Sequence, residues 1–173
     1  MEGVIYLQNF TSANTSINST KLPKVYTKVP MTGAVLDYGC GKYIDHIKHF
    51  LWENDAYLLP YDPYNQSNEV NFDTMRKLKK IMENGEHLNI VCSNVLNVID
   101  DDEMIQMIAD RIQRWIERTD GTAYITVYEG NRTGVGRQTG KDQYQRNEPL
   151  VFYRKYFRNA EIKKQMIVVR KAV

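Results

Sequence analysis

The residues best suited to binding chemistry stand in the stretch 34–42, AVLDYGCGK, where three apolar residues run into Asp37 and then into Gly39 and Gly41. Glycine takes positive φ without steric cost and has no Cβ to hold a ligand away from the backbone. Such a turn at the end of a buried parallel strand presents backbone groups to a ligand. From Lys42 the apolar spacing becomes helical, which predicts a helix N-terminus over the strand.

A second acid stands at the end of the next predicted strand, Ala56–Tyr61. Asp62 and Pro63 close this extended run, because proline has no N–H for a sheet ladder. A carboxylate at the tip of a neighbouring strand can accept hydrogen bonds from both hydroxyls of a ribose. An aspartate that only begins a turn is the alternative interpretation.

Together these motifs resemble motif I and the acidic position after the second strand of the class I S-adenosylmethionine-dependent methyltransferases. The dinucleotide fingerprint fits less well, because Ile44 stands where its third glycine belongs. The chain departs from the methyltransferases at Tyr43, where a further glycine is common. The resemblance implies S-adenosyl-L-methionine as cofactor, and a glycine turn without that ligand is the alternative. The cofactor-binding residues that it implies are Asp37, Tyr38, Gly39, Cys40, Gly41, Asp62, Pro63, Ser93, Asn94 and Val95.

The surrounding patterns predict the elements that position these residues. Short apolar runs predict strands at 88–92 and 122–128, and helical spacing predicts a helix that Asp73 caps and Asn84-Gly85 ends. The acidic residues 100–103 predict the N-terminus of a further helix. The apolar stripe of that helix is Ile105, Ile108, Ile112, Trp115 and Ile116.

The order of these elements predicts an α/β, doubly wound, mostly parallel sheet, and the resemblance implies the Rossmann-like methyltransferase fold. The short connection between the second strand and 88–92 predicts an abridged middle. The tail, Val151–Phe157 and Met166–Val169, is interpreted as an antiparallel C-terminal edge. Residues 1–32 are interpreted as an N-terminal arm with a short strand at Val4–Leu7, and residues 33–173 as the methyltransferase domain.

Residues 129–147 predict a long, irregular basic loop. Net charge is +2, yet 130–158 alone carries seven basic residues against two acids. Spaced arginines, glycines and a tyrosine suit phosphates and bases, so nucleic acid is the expected partner, with a solvated loop as the alternative. The substrate-binding candidates are Arg132, Arg137, Lys141, Tyr144, Gln145 and Arg146.

The catalytic candidates are taken from their positions after predicted strands: Asn94, Asn97, Tyr128 and Glu129. The segment 93–99, SNVLNVI, lacks the Pro-Pro-aromatic motif of amine-methylating DNA enzymes, and Val91 precedes Cys92 where cytosine C5 enzymes have proline. With the basic loop, this segment is similar to small phage and bacterial methyltransferases, including those associated with DNA phosphorothioation. A small-molecule or protein substrate, or a non-catalytic binding module, are the alternatives.

The rest of the composition bears on whether the protein is membrane-spanning, secreted or metal-binding. No apolar run approaches the roughly 20 residues of a membrane span, and no secretory signal is visible. Cys40 and Cys92 are interpreted as packing residues, and His46 and His49 lack further ligands nearby, so no metal is predicted. A cytoplasmic protein is expected, and the oligomeric state is left open.

Overall fold

The computed structural model describes residues 20–141 and 143–173, so the strand predicted at Val4–Leu7 falls outside the described part. Within it the chain forms the strands β1 (Gly33–Tyr38), β2 (Ala56–Tyr61), β3 (His87–Ser93), β4 (Asp120–Thr126), β5 (Arg137–Gly140), β6 (Gln143–Gln145), β7 (Ala160–Lys163) and β8 (Met166–Arg170). The helices are α1 (Lys24–Lys28), α2 (Asp45–Glu53), α3 (Asn68–Asn84), α4 (Asp102–Arg118) and α5 (Leu150–Tyr153). Short 3₁₀ helices follow at Leu96–Val98 and Arg154–Tyr156. No helix in residues 20–141 or 143–173 is both long and apolar enough to cross a bilayer.

Six strands form one sheet in the order β2-β1-β3-β4-β8-β7. The first four are parallel to one another, whereas β8 runs antiparallel to β4 and β7 antiparallel to β8. The carboxyl ends of β1 to β4 therefore meet at one edge of the sheet, called the C-edge below. Ile167 pairs with Ile125 near the end of β4, so the β7–β8 turn also lies at the C-edge. This α/β architecture, with its mostly parallel sheet, is consistent with a Rossmann-like fold.

Apolar layers cover both faces of the sheet, so that its central strands are buried on both sides. Leu36 and Ile90 belong to the layer that packs against α3 and α4. Val35 and Val91 belong to the opposite layer, which also contains residues of α1 and α2. The part of the predicted N-terminal arm that forms α1 thus packs on the sheet, with Val25 and Tyr26 almost completely buried.

Several predicted elements are confirmed. The strands at 56–61 and 88–92 are β2 and the centre of β3, and a single helix, α3, connects them, as the short connection predicted. Asp101 caps α4 by accepting the backbone N–H groups of Glu103 and Met104. All five residues of the predicted α4 stripe are buried.

The predicted strand at Val151–Phe157 is wrong. Residues 150–156 are helical, and the antiparallel partner of β8 is β7 instead. The aromatic side chains of Tyr153, Tyr156 and Phe157 are spaced by three and four residues, so helical backbone buries all three on one side. Alternating strand geometry would have pointed some of them into solvent.

The interpretation of 129–147 as wholly irregular is also wrong. β5 and β6 pair as a separate two-stranded antiparallel unit, called the ribbon below. Gly136 allows this pairing, because a Cβ there would lie 1.8 Å from the Tyr144 hydroxyl oxygen, which packs across the strands. The ribbon lies between β4, which ends at Thr126 rather than at Tyr128, and α5.

Two helices begin elsewhere than predicted. α2 starts at Asp45 rather than at Lys42. α3 starts at Asn68, and the hydroxyl of Ser67 accepts the backbone N–H of Val70 at 3.2 Å. Asp73 lies inside α3, where it pairs with Arg76 and Lys77 on the exposed surface. The predicted end at Asn84-Gly85 is confirmed, with Gly85 in left-handed conformation.

The cap of α3 gives a direct test of this reassignment. Ser67→Ala removes the acceptor for an N-terminal N–H and should lower the free energy of unfolding by about 1 kcal/mol. Asp73→Ala breaks only solvent-exposed pairs and should cause a smaller loss. Urea unfolding of both variants measures the difference, and a larger loss for Asp73→Ala would show that the helix begins where the sequence pattern placed it.

Candidate functional site

The glycine turn after β1 is held against the ends of both neighbouring strands. Gly39 and Gly41 take φ values of 83° and 78°, which glycine alone adopts readily. The N–H of Gly39 donates to the carbonyl of Tyr61 at 2.7 Å, at the end of β2. A Cβ on Gly39 would lie 2.3 Å from Cγ2 of Val95, which follows β3. The turn is therefore wedged between β2 and the loop after β3.

Asp62 closes the turn on the β2 side. Its Oδ2 accepts the backbone N–H of Gly41 at 2.9 Å and the side-chain amide of Asn65 at 3.2 Å. Its Oδ1 accepts the backbone N–H groups of Tyr64 and Asn65, both at 3.0 Å. A carboxylate offers about four lone-pair positions, so the buried side chain of Asp62 is saturated by neutral donors of this chain.

Further amides that the sequence patterns did not single out support this arrangement. Asn71 of α3 clamps the backbone of Asp62, donating to its carbonyl and accepting its N–H, each at 2.9 Å. Gln66 donates to the carbonyls of Gly41 at 2.8 Å and Lys42 at 3.2 Å. Half-buried Pro63 begins the short turn that carries these donors. These side-chain amides therefore fix the backbone conformation at residues 41, 42 and 62.

Asp37, the last acid before the turn, is bonded to α1. It is 2% exposed, and its Oδ2 accepts the hydroxyl of Tyr26 at 2.5 Å. Burial raises the pKa of Asp37 to about 7, against the lowering effect of the Tyr26 hydrogen bond and with a further increase from Asp62. The sequence resemblance had assigned Asp37 to the cofactor, whereas its observed partner is a tyrosine of the N-terminal segment.

Tyr38 and Cys40 also have partners inside the protein. The ring of Tyr38 lies 5.0 Å from that of Tyr61, and its hydroxyl accepts from Arg111 of α4 at 3.4 Å. Burial raises the pKa of the Cys40 thiol and of the Cys92 thiol far above the ordinary value. Neither thiol is therefore a thiolate nucleophile at neutral pH.

The loop after β3 forms the other side of the site. Ser93 accepts the hydroxyl of Thr126 at 2.9 Å, which ties the ends of β3 and β4 together. Asn94 is left-handed, with φ 57°, and its N–H donates to the carbonyl of Thr126. This conformation lets the chain turn into the buried 3₁₀ helix that contains Asn97.

A chain of side-chain amides joins that loop to the ribbon. The carbonyl of Tyr128 accepts from Gln145 Nε2 at 2.9 Å, and Gln145 Oε1 accepts from Asn97 Nδ2 at 3.1 Å. Asn97 Oδ1 is buried and has no hydrogen-bond partner within the described residues. Three other buried polar atoms of the described residues share this state, on Asp100, Gln113 and Tyr153, so it does not by itself mark a ligand position.

The basic candidates divide into two groups. Arg146 is structural, since its guanidinium donates to the carbonyl of Ile99 and pairs with Asp102 at the start of α4. Arg132 pairs with Glu129 at 2.6 Å, and the other oxygen of Glu129 accepts the N–H of Leu150. By contrast Arg137 and Lys141 of the ribbon, together with Tyr128, are exposed.

The structure thus brings together the glycine turn, Asp62 and the loop 93–97 at the C-edge, and it joins Gln145 to Asn97. Arg132 pairs with Glu129 instead, and Arg137 is exposed on the ribbon. In the same residues, no group of three His, Cys, Asp or Glu side chains is placed to hold a metal ion.

A separate cavity of about 110 Å³ lies between α1 and α2. Its lining includes Met31, Thr32 and Asn54, which precede β1 and follow α2. It therefore lies towards the end of the sheet where β1 begins, away from the C-edge.

Searches against protein-family models, curated proteins and solved structures found no significant match to this chain. Function is therefore inferred from the residues of the site themselves.

The raised pKa of Asp37 predicts how stability changes with pH. Between about pH 4 and pH 7 the folded protein keeps a proton that the unfolded chain releases, so the free energy of unfolding falls as pH rises and levels off above about 7. At about 1.4 kcal/mol per pKa unit, the decline is on the order of a few kcal/mol. Asp37→Asn should flatten this part of the profile in urea unfolding from pH 5 to 8. Parallel profiles for the two proteins would contradict the assignment.

Proposed function

We propose that this protein is an S-adenosylmethionine-dependent methyltransferase with the corresponding Rossmann-like fold. The observation that carries the proposal is the glycine turn after β1, which is bonded to Asp62 on one side and packed on Val95 on the other. These residues stand at the tips of three adjoining strands, β2, β1 and β3, where doubly wound sheets bind their ligands.

The proposed cofactor places its methionine end by the backbone of Gly39 and Gly41 and its ribose on Asp62. Of the four donors on that carboxylate, the side-chain amide of Asn65 is the longest, at 3.2 Å, and it belongs to a side chain that can rotate away. One ribose hydroxyl would replace this amide while the N–H of Gly41 stays bonded. The N–H groups of Gly39, Cys40 and Gly41 already donate to Tyr61 and Asp62, so the turn would hold the cofactor by close approach of its glycine backbone rather than by free donors.

The cofactor supplies a methyl group already activated on a positively charged sulfur. The tasks of the chain are then to bind, to align the acceptor and to exclude water, and no catalytic triad is needed. Asn97 suits a positioning role, because it is fully buried and its bond to Gln145 joins the loop after β3 to the ribbon.

We extend the proposal to a nucleic-acid substrate, which the exposed cations of the ribbon support. The ion pairs of Arg132, Arg146 and Arg158 with Glu129, Asp102 and Glu117 reduce that support, since they cancel charge within the basic segment. A small-molecule or protein substrate is the alternative. A non-catalytic module is the second candidate function, favoured by the complete internal pairing of Asp62.

Cofactor binding gives the first test. The wild type should bind S-adenosylhomocysteine in calorimetry, and Asp62→Ala should weaken binding by about tenfold or more, because a hydrogen bond to a charged group is lost. Asn65→Ala should bind at least as well as the wild type, since it removes the competing amide. Asp73→Ala, a surface aspartate of α3, is the matched control, and urea unfolding shows which variants remain folded.

Transfer of a labelled methyl group to separate pools of DNA, RNA, protein and small molecules then identifies the substrate. Label in a nucleic-acid pool, lost in Asn97→Ala, is the expected result. Label only in protein or metabolites would replace the substrate assignment. Tight cofactor binding without transfer to any pool would favour the non-catalytic module, and absence of cofactor binding by a folded wild type would overturn the proposal.

A further inference from the structure

Two segments that are far apart in sequence, α1 and the β7–β8 turn, contact each other and form a surface rich in lysine. Lys28 Nζ of α1 donates to the carbonyl of Lys164 at 3.1 Å, in the β7–β8 turn, and lies 3.5 Å from Gln165 Oε1. Lys164 Nζ in turn lies 3.5 Å from the carbonyl of Lys28. Beneath these contacts, Met166 of β8 shares an apolar cluster with Val25 of α1. The turn and the helix are therefore one continuous surface.

Two further lysines lie on this surface. Lys24 is exposed and stands one helical turn before Lys28. Lys163 pairs with Met166 across β7 and β8, and cross-strand partners project from the same face of a sheet. Because Met166 is buried on the α1 side, Lys163 also projects on that side. We call Lys24, Lys28, Lys163 and Lys164 the lysine surface.

The charge of the lysine surface is not balanced by nearby acids in the sequence. Residues 20–36 contain three lysines and no acid, and no acid follows Glu161. Glu161 itself shares the α1 side through its pairing with Val168, but Arg170 holds its carboxylate at 2.6 Å. The basic segment around the ribbon is different, because three of its arginines are paired with carboxylates.

The β7–β8 turn holds its lysine in a costly conformation. Lys164 and Gln165 have φ values of 51° and 61°, as a two-residue hairpin turn requires, where asparagine and glycine are the favoured residues. The turn lies at the C-edge, the same edge as the glycine turn.

We propose that the lysine surface docks the phosphate backbone of a nucleic acid and delivers it to the C-edge. This inference rests on the proposed function and assigns its substrate contact to a different surface from the ribbon. Among residues 20–141 and 143–173 none of these four lysines forms an ion pair with a carboxylate, and such a group of cations matches the regular charge of a phosphate backbone. An anionic membrane fits less well, because the apolar residues of α1, Val25 and Tyr26, are buried and cannot insert into lipid.

Salt-dependent binding of the full chain to duplex DNA and duplex RNA tests the proposal without requiring methyl transfer. The test variant is Lys24→Gln with Lys163→Gln, which spares the contacts between Lys28 and Lys164. It should lower the steepness of log K against log salt by about 2 and weaken binding on the order of tenfold at low salt. The competing variant is Arg137→Gln with Lys141→Gln on the ribbon, and the control is Lys79→Gln with Lys80→Gln on α3.

Each outcome decides the matter. Loss in the lysine-surface variant alone supports the proposal. Loss in the ribbon variant alone, wild-type binding by all three variants, or binding to anionic lipid vesicles but to neither duplex would overturn it. Failure of the cofactor titration would leave these duplex-binding results unaffected, so the two proposals fail independently.

Discussion

The hydrogen bond from the Gly41 N–H to Asp62 Oδ2 is the contact on which the arrangement of the site depends. It fixes the glycine turn after β1 to the end of β2, and the remaining oxygen positions of Asp62 organise residues 64 and 65. A buried carboxylate without a cation must be satisfied by many neutral donors, because an unpaired buried charge is costly. Loss of this side chain would therefore release the turn as well as any ligand that it holds.

The elements that could be predicted from the sequence are those with a strong local pattern. Leu88–Cys92 is a short apolar run with polar neighbours, and Ile105 to Ile116 repeats at helical spacing, so both were predicted correctly. The prediction of a strand at Val151–Phe157 failed because aromatic residues are compatible with both a strand and a helix. Only their packing against the core decides between the two. The ribbon was not predicted because no repeating pattern in the sequence marks it, and its bond to the loop at Asn97 forms only in the folded chain.

The position of the candidate-site residues at one edge of the sheet could be predicted from the sequence, but their hydrogen-bond partners could not. Chain order places Gly39, Asp62 and Asn94 at one edge of the sheet, yet it does not reveal that Tyr26 bonds Asp37 or that Arg146 bonds Asp102. Asn71 lies at helical spacing from Thr74 and Leu78, which would have indicated a buried polar residue had the helix been extended back to Ser67. Long-range partners of this kind depend on folding, so charge counts along the sequence reveal neither the ion pairs of Arg132, Arg146 and Arg158 nor the two lysine segments that meet in space.

The central claim is that a sulfonium nucleoside lies on the glycine turn with its ribose on Asp62. A crystal structure of the complex with S-adenosylhomocysteine tests it most directly. The account predicts a ribose hydroxyl within hydrogen-bond distance of the Asp62 carboxylate, with the side-chain amide of Asn65 moved away and the Gly41 contact kept. A ligand bound elsewhere, with all four donors still on Asp62, would contradict it.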